Sequence, residues 1–269
     1  MKNEMELKDF VYDGQYLSDY GFFVGKIGSG DNFIIEKGAK LVFDKIPKNY
    51  GRRHLLASAS YDGAYSAQFD IFKNPEINND LFLTDDEFRD LMRWLNRREY
   101  LQFCFIPDNG EETEKYYDAS FNVDKILVDG RCLGLHLTME TNSAKGYGQE
   151  LVSRYNISDT NIIFTLADMS DEVGYTYPDV VIEIMRDGDL RICNQTLQHT
   201  TEIKNCVVGE KITMQGALGI IQTDNEDHKL ADDFNFNFLK IGNTINNRQN
   251  KLSFSLPCKI TIKYRPNIM

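Results

Sequence analysis

The stretch Leu83–Phe105, LTDDEFRDLMRWLNRREYLQFCF, begins as a helix and ends as a strand. Thr84 is a favourable N-cap residue, and Glu87 three residues later completes a capping box. The apolar side chains that recur at helical spacing are Phe88, Leu91, Met92 and Leu95. The stretch therefore predicts one amphipathic helix whose apolar stripe packs against a sheet. Trp94, the only tryptophan, lies beside this stripe and is predicted to cover its edge.

The rest of the chain is typical of β structure, and no second segment indicates a convincing helix. Three segments alternate apolar and polar residues with a period of two, as half-buried strands do. Their apolar positions are Tyr65, Ala67, Phe69 and Ile71, then Leu101, Phe103 and Phe105, then Leu133, Leu135, Leu137 and Met139. An Asp-Gly pair at Asp13-Gly14 indicates a tight turn near the start of the chain.

A polar, glycine-containing segment at residues 141–150, TNSAKGYGQE, indicates a domain junction. We predict an N-terminal domain over 1–145 and a C-terminal domain over 146–269. In the second domain, Asp187-Gly188 is predicted to turn a hairpin that faces Val180, Ile182 and Ile184 towards Leu190 and Ile192. A further strand is predicted from the alternation of Phe234, Phe236 and Phe238. The expected fold class is mainly β, with two β-sandwich-like domains and one flanking α-helix in the first.

Composition and charge argue against several classes of protein, including disordered, DNA-binding and membrane-spanning proteins. The 269 residues are 42% hydrophobic, which is enough for a sizeable core, and the formal net charge is −11. Such a charge repels nucleic-acid phosphates, so a specific DNA-binding role is disfavoured. No apolar run approaches the length of a membrane span, and the start, MKNEMELKDF, places charges where a signal peptide needs an apolar core.

Residues with the spacing of a catalytic or metal site are missing from the sequence. The five cysteines show no metal or redox spacing, which predicts thiols buried as small apolar groups. The four histidines are far apart in sequence, and no nucleophile elbow occurs. Gly28–Gly30 is predicted to form a turn and not a phosphate loop. The acidic segment 223–233 is predicted to be a solvated loop, with calcium binding as the less favoured alternative.

Two groups of residues point to a family. The first is Phe10, Gly14, Ser18, Gly21 and Phe22. The second is Phe238, Leu239, Gly242, Asn243 and Ile245. With the helix between them, their order and spacing resemble the distal tail (Dit) proteins of long-tailed bacteriophages over nearly the whole chain. The individual motifs are short, so the resemblance depends on their order, their spacing and the total length.

The resemblance implies a structural baseplate or tail-tip protein and not an enzyme. It implies an N-terminal domain with one helix and a long hairpin, from which six copies close into a ring, and a galectin-like C-terminal domain outside that ring. The hexamer would connect the tail tube to the tail-tip hub or receptor-binding proteins and leave a channel for DNA passage. It would act at the virion tail tip after assembly in the bacterial host cytoplasm, with no cofactor, no metal and no membrane partner.

Two other function classes remain open from the residues. A β-sandwich domain could be a carbohydrate-binding module for host-surface attachment, and Tyr175 and Tyr177 are then the candidates to stack on a sugar. Such tyrosines more often pack near the start of a strand, so a docking scaffold is the favoured role of the second domain. A glycosidase on a β-sandwich would require two facing carboxylates, which a chain with 41 acidic residues does not identify from sequence.

Overall fold

The computed structural model describes residues 7–25, 34–46, 55–107 and 113–269. The chain divides into two compact units, residues 1–147 and 148–269, and each has its own buried core. Gly28–Gly30 and His54 lie outside the described residues. Among the described residues, no helix is long and apolar enough to cross a membrane.

Within its described residues, the first unit has eleven strands and one α-helix. In chain order its strands are β1 Leu7–Tyr12, β2 Gln15–Tyr16, β3 Phe22–Gly25, β4 Ile34–Lys37, β5 Leu41–Ile46, β6 Leu55–Tyr61, β7 Ser66–Lys73, β8 Leu101–Pro107, β9 Tyr116–Val128, β10 Arg131–Thr141 and β11 Gly146–Tyr147. A short 3₁₀ turn spans Leu17–Tyr20, and helix α1 spans Asp85–Leu95. The large antiparallel sheet runs in the order β2-β1-β8-β9-β10-β7-β3, with β4 also on β7 and β11 also on β9.

Helix α1 begins where the sequence predicts. The Thr84 hydroxyl accepts a hydrogen bond from the Glu87 N–H, and the Glu87 carboxylate accepts one from the Thr84 N–H at 2.7 Å. Leu91, Trp94 and Leu95 are buried, whereas Phe88 is half-buried against the same core. The predicted helix and its apolar stripe are therefore confirmed.

The core of the first unit is aromatic. The Phe10 ring lies 5.6 Å from Trp94 and 5.3 Å from Phe103, between centroids. The Trp94 indole N–H donates a 3.0 Å hydrogen bond to the Tyr12 carbonyl oxygen, so the indole crosses from helix to sheet with its polar atom satisfied. Trp94 is a core residue and not the edge cover that the sequence predicts.

The second unit contains two main sheets. Its strands are β12 Leu151–Ile157, β13 Phe164–Ala167, β14 Gly174–Thr176, β15 Asp179–Ile184, β16 Gly188–Asn194, β17 His199–Cys206, β18 Lys211–Gln215, β19 Ile220–Thr223, β20 Ile241–Asn243, β21 Gln249–Phe254, β22 Cys258–Tyr264 and β23 Asn267–Ile268. One sheet runs β12-β22-β15-β18-β19, and the other runs β13-β21-β16-β17. Buried side chains of both sheets belong to one core, which is the arrangement of a two-layer sandwich.

Three expectations for the second unit are wrong. β15 and β16 do not pair as a hairpin, because β15 lies between β18 and β22 whereas β16 lies between β17 and β21. A short helix, α2, spans Leu230–Asp233 where no helix is predicted. The segment 234–238 is not a strand: Phe236 is exposed and has a φ of 56°.

The mainly β architecture in two units is confirmed. The apolar residues of β15 and β16 do face one another, but they do so across the sandwich core instead of along a hairpin. The galectin-like character of the second unit stays a prediction.

Candidate assembly and ligand-binding sites

Strands β5 and β6 form a two-stranded antiparallel sheet of their own, which we call the ribbon (residues 41–46 and 55–61). Leu41 pairs with Tyr61 and Phe43 pairs with Ala59, so these four side chains share one face. The large apolar side chains that the ribbon exposes are Leu41, Val42, Phe43, Ile46 and Leu56. Phe43 is 49% exposed and Leu56 is 60% exposed.

Both faces of the ribbon expose apolar side chains: Leu41 and Phe43 lie on one face, and Val42 lies on the other. On the face opposite Phe43, the Ser58 hydroxyl donates a 2.6 Å hydrogen bond to the Asp44 carboxylate. A single hairpin is marginally stable in water, and a contiguous exposed apolar patch marks an interaction surface. The ribbon is therefore the candidate assembly site of the first unit.

The outer face of α1 is charged and exposed. Arg89 contacts Asp86 at 3.3 Å and Arg93 contacts Asp90 at 3.6 Å, each between a guanidinium nitrogen and a carboxylate oxygen. Exposed pairs of this kind contribute little to stability. The use of this face to meet a neighbouring subunit stays a prediction.

Tyr175 and Tyr177, the two residues predicted to stack on a sugar, lie at the surface of the second unit. Tyr175 is 63% exposed and Tyr177 is 43% exposed, so neither is a core residue. Both line one open pocket of about 460 Å³ together with Asp179, Lys263 and other residues. The geometry of this pocket is that of a candidate ligand site.

Two family models match the chain. A phage tail protein N-terminal domain matches residues 5–143, and a phage tail C-terminal domain matches residues 146–264. The chain belongs to this phage tail protein family. The tail protein is accordingly a structural component of a phage tail, and the expected relationship to Dit proteins is supported by its fold.

Among solved structures, the tail protein is similar to the Dit protein (gp 19.1) of phage SPP1. That protein is described as a paradigm of the hub adsorption apparatus in phages that infect Gram-positive bacteria. The TM-score is 0.67 at 12% sequence identity, over 97% of this chain and 99% of the SPP1 chain. No curated protein matches in sequence. At this identity the likeness establishes a shared fold, which is the two-domain Dit fold.

The opening motif of the tail protein has structural roles. Phe10 is fully buried at the centre of the aromatic core, and Phe22 is buried on β3. Gly14 and Gly21 have φ angles of 72° and 78°, which side chains with a Cβ rarely adopt. The Gly21 N–H closes the 3₁₀ turn by donating to the Ser18 carbonyl at 2.9 Å. The motif is therefore explained by folding.

Leu239, Gly242 and Asn243 of the closing motif have structural roles, whereas Ile245 is exposed. A Cβ on Gly242 would lie 2.7 Å from a methyl of the partly exposed Leu197, which would have to move to admit a side chain. The Asn243 side chain is buried and donates to the carbonyls of Ser170 and Glu172. Asn250, which sequence reasoning missed, holds both the N–H and the C=O of Gly242 through its side-chain amide.

A buried histidine–carboxylate contact was also missed. The His228 Nδ1 lies 2.6 Å from the Glu210 Oε1, and both side chains are almost fully buried. The Thr223 hydroxyl donates to the same carboxylate, and the Val207 N–H donates to its second oxygen. The segment 223–233 is therefore anchored to the second unit through His228, while Asp224, Glu226 and Asp227 are exposed, as expected of a surface loop. No sequence signal indicates this pair, since its members are eighteen positions apart.

In the part of the chain that the structure describes, the other candidates for metal binding or cysteine chemistry do not form a site. Among the described residues, no group of three or more His, Cys, Asp or Glu side chains could hold a metal ion, so calcium binding by 223–233 gains no support. Burial raises the pKa of the Cys258 thiol to about 12 and that of the Cys206 thiol to about 11. These thiols stay protonated near neutral pH, as structural cysteines do.

Proposed function

We propose that this tail protein forms a hexameric ring that connects the tail tube to the tail-tip hub or receptor-binding proteins. The observation that carries the proposal is the ribbon, an apolar two-stranded sheet that the first unit exposes. The stoichiometry of six comes from the resemblance to Dit proteins. The family supports the setting, since its domains are phage tail domains.

The ribbon suits contact between copies of the chain. One of its apolar faces carries Leu41, Phe43 and Tyr61, and an identical copy is a partner always available during assembly. A closed ring requires a heterologous contact, in which the ribbon of one copy docks on a different surface of the next. Burial of the ribbon in this way stabilises each interface by roughly 25 cal/mol per Å² of apolar surface removed from water.

We further propose that the ring encloses a channel through which DNA passes. The formal charge of −11 per chain opposes adsorption of DNA to the channel wall. An electrostatic map of the assembled ring with a neutral or positive lumen would contradict this part of the proposal. The protein would act at the virion tail tip, after assembly in the bacterial host cytoplasm.

In this proposal the tail protein works through its surfaces and its symmetry, without catalysis or a cofactor. The second unit would present a docking scaffold for neighbouring tail proteins. The residues of that docking surface are not part of the proposal. Attachment to the host through a carbohydrate is a separate proposal, which rests on the pocket lined by Tyr175 and Tyr177.

The ring is tested by the double variant Leu41→Ser with Phe43→Ser. We expect the native protein to form rings of six at high protein concentration, as seen by mass photometry and negative-stain imaging. The double variant should remain monomeric, because the apolar face that drives association is removed. Ile245→Ser is the matched control, since Ile245 is 89% exposed and lies in the second unit.

Rings that form equally well in the double variant would contradict the role of the ribbon. Closed dimers in place of rings would contradict the heterologous contact. Circular dichroism of each variant shows that its β structure is retained. All the substituted side chains are exposed, so no loss of the folded state is expected.

A further inference from the structure

The pocket that contains Tyr175 and Tyr177 differs in character from the ribbon. Its other lining residues are Thr176, Asp179, Ala217, Lys263, Tyr264, Arg265 and Asn267, all in the second unit. A pocket of about 460 Å³ is within the usual size range of small-ligand sites. Its wall combines aromatic faces with an amide, a carboxylate and two cations. This combination does not resemble a flat protein-docking surface.

The backbone that presents the tyrosines is held in place. β14 pairs with β20, with Tyr175 directly opposite Gly242. The Thr176 hydroxyl donates a 3.3 Å hydrogen bond to the buried Asp168 carboxylate, so Thr176 points towards the protein. Tyr175 lies on the other side of β14, and Tyr177, just beyond the strand, lines the same pocket.

The backbone at Tyr177 and Pro178 packs against Gly216, the residue that follows strand β18. Gly216 approaches the backbone so closely that a Cβ would lie 2.4 Å from the Pro178 carbonyl oxygen and 2.7 Å from that of Tyr177. The Gly216 N–H also donates to the Asp179 carboxylate at 3.1 Å. Tyr177 is thus carried on a rigid backbone, and a ligand that stacks on the pair has little chain to order on binding.

Cations outnumber carboxylates in the pocket wall. Lys263 and Arg265 line the pocket with one carboxylate, that of Asp179, and the buried Asp168 carboxylate lies behind Thr176. The Lys240 ammonium lies 4.6 Å from the centroid of the Tyr175 ring. A local excess of cations in a chain of net charge −11 favours a ligand that carries negative charge.

We propose that this pocket binds an acidic glycan, that is, a saccharide chain with carboxylate or phosphate groups. The apolar face of a sugar ring would stack on Tyr175 or Tyr177, as amphipathic aromatic side chains allow. Lys263 and Arg265 would contact the acidic group, and Asn267 and Asp179 would bond the hydroxyls. Host attachment through such a glycan goes beyond the proposed ring, and the pocket lies entirely within one copy of the chain.

Single-stranded nucleic acid is the other ligand that combines stacking with positive charge. The Asp179 carboxylate in the pocket wall suits a hydroxyl-bearing ligand better than a phosphate backbone. Nucleic acid is therefore an outcome that the test must distinguish.

The test measures binding to the full chain by calorimetry and saturation-transfer NMR. The probes are oligogalacturonate, which carries carboxylates, a phosphorylated mannan oligosaccharide, a neutral dextran oligosaccharide and a dT oligonucleotide. We expect one or both acidic glycans to bind more tightly than dextran. The Tyr175→Ala, Tyr177→Ala double variant should weaken this binding at least tenfold. Lys263→Gln should reduce the preference for acidic over neutral glycans.

Tyr100→Ala is the matched control, because Tyr100 is half-exposed in the first unit and lies outside the pocket. It should bind as the native protein does. The proposal fails if no glycan binds at millimolar concentration, if the double tyrosine variant binds normally, or if dT binds and competes with the glycan. Because each copy contains a whole pocket, ring formation does not affect the result, and the two proposals fail independently.

Discussion

Asn250 organises the polar interior of the second unit. Its side-chain oxygen accepts hydrogen bonds from the Asn194 amide at 2.9 Å and from the Gly242 N–H at 2.8 Å, and its amide donates to the Gly242 carbonyl at 3.0 Å. Asn194 and Asn250 are both fully buried. A buried polar network is stable only when its members are satisfied, and here each asparagine has several partners.

We expect Asn250→Ala to lower the free energy of unfolding of the second unit by about 3 kcal/mol, because several buried polar groups lose a partner at once. Chemical denaturation followed by far-ultraviolet circular dichroism measures the loss. Asn161→Ala is the control, since Asn161 is exposed and bonds only within its own turn to Asp159. A change in Asn250→Ala no larger than in the control would contradict the role given to the network.

At the scale of the element, the N-terminus of α1 is tied to the sheet by charge as well as by its cap. The buried Lys73 ammonium lies 2.6 Å from the Glu87 carboxylate and also donates to the Phe82 carbonyl. Burial alone would raise the pKa of Glu87. Hydrogen bonds from Lys73 and Thr84 outweigh that burial, so the pKa of Glu87 lies below its ordinary value.

A carboxylate with a lowered pKa in the folded protein stabilises the fold above its unfolded pKa. This stability is lost as the pH falls through the lowered folded pKa. We therefore expect Glu87→Gln to destabilise the first unit by about 1 kcal/mol at pH 7, mainly because the buried Lys73 ammonium loses its charged partner. The difference from the native protein should disappear in acid. Trp94 fluorescence follows unfolding of this unit selectively, because Trp94 is the only tryptophan.

Asp86→Asn is the control for this prediction. Asp86 also lies in the first turn of α1, but its pair with Arg89 is exposed and it makes no capping-box bond. It should change stability less than Glu87→Gln does. A Glu87→Gln effect that is equally large at acid and neutral pH would contradict the electrostatic explanation.

At the scale of the whole molecule, each unit has a buried core of its own. We expect the fragment 148–269 to fold alone into a β structure that unfolds cooperatively, since the side chains of its two sheets fill one core. Circular dichroism and thermal melting of the fragment measure this. A disordered fragment would contradict it.

Independent unfolding of the two units can also be tested in the intact chain. Asn250→Ala should shift the unfolding of the second unit while the Trp94 transition of the first unit stays in place. A Trp94 transition that moves with the substitution would mean that the two units unfold together. The binding test of the glycan pocket and the assembly test of the ribbon both use the full chain. Neither test therefore requires the two units to unfold independently.

The local elements followed from the sequence because local physics specifies them. The Thr84–Glu87 capping box and the apolar stripe define α1, and the alternation of Ala67, Phe69 and Ile71 defines β7 with its buried face. A period of two or of 3.6 is a property of neighbouring residues, so it can be read without knowledge of the fold. The order of short motifs then sufficed to indicate the phage tail family.

The tertiary structure alone decided what depends on distant residues. β15 and β16 adjoin in sequence but lie in different sheets, since alternation gives the buried face of a strand and not its partner. The His228–Glu210 pair, the Asn194–Asn250 network and the lysines around Tyr175 and Tyr177 join positions that only folding brings together. Sequence determined α1 and most of the strands, although it missed α2 and wrongly predicted a strand over 234–238. The choice of neighbours required the packing of the whole core, because burial is a property of the complete fold.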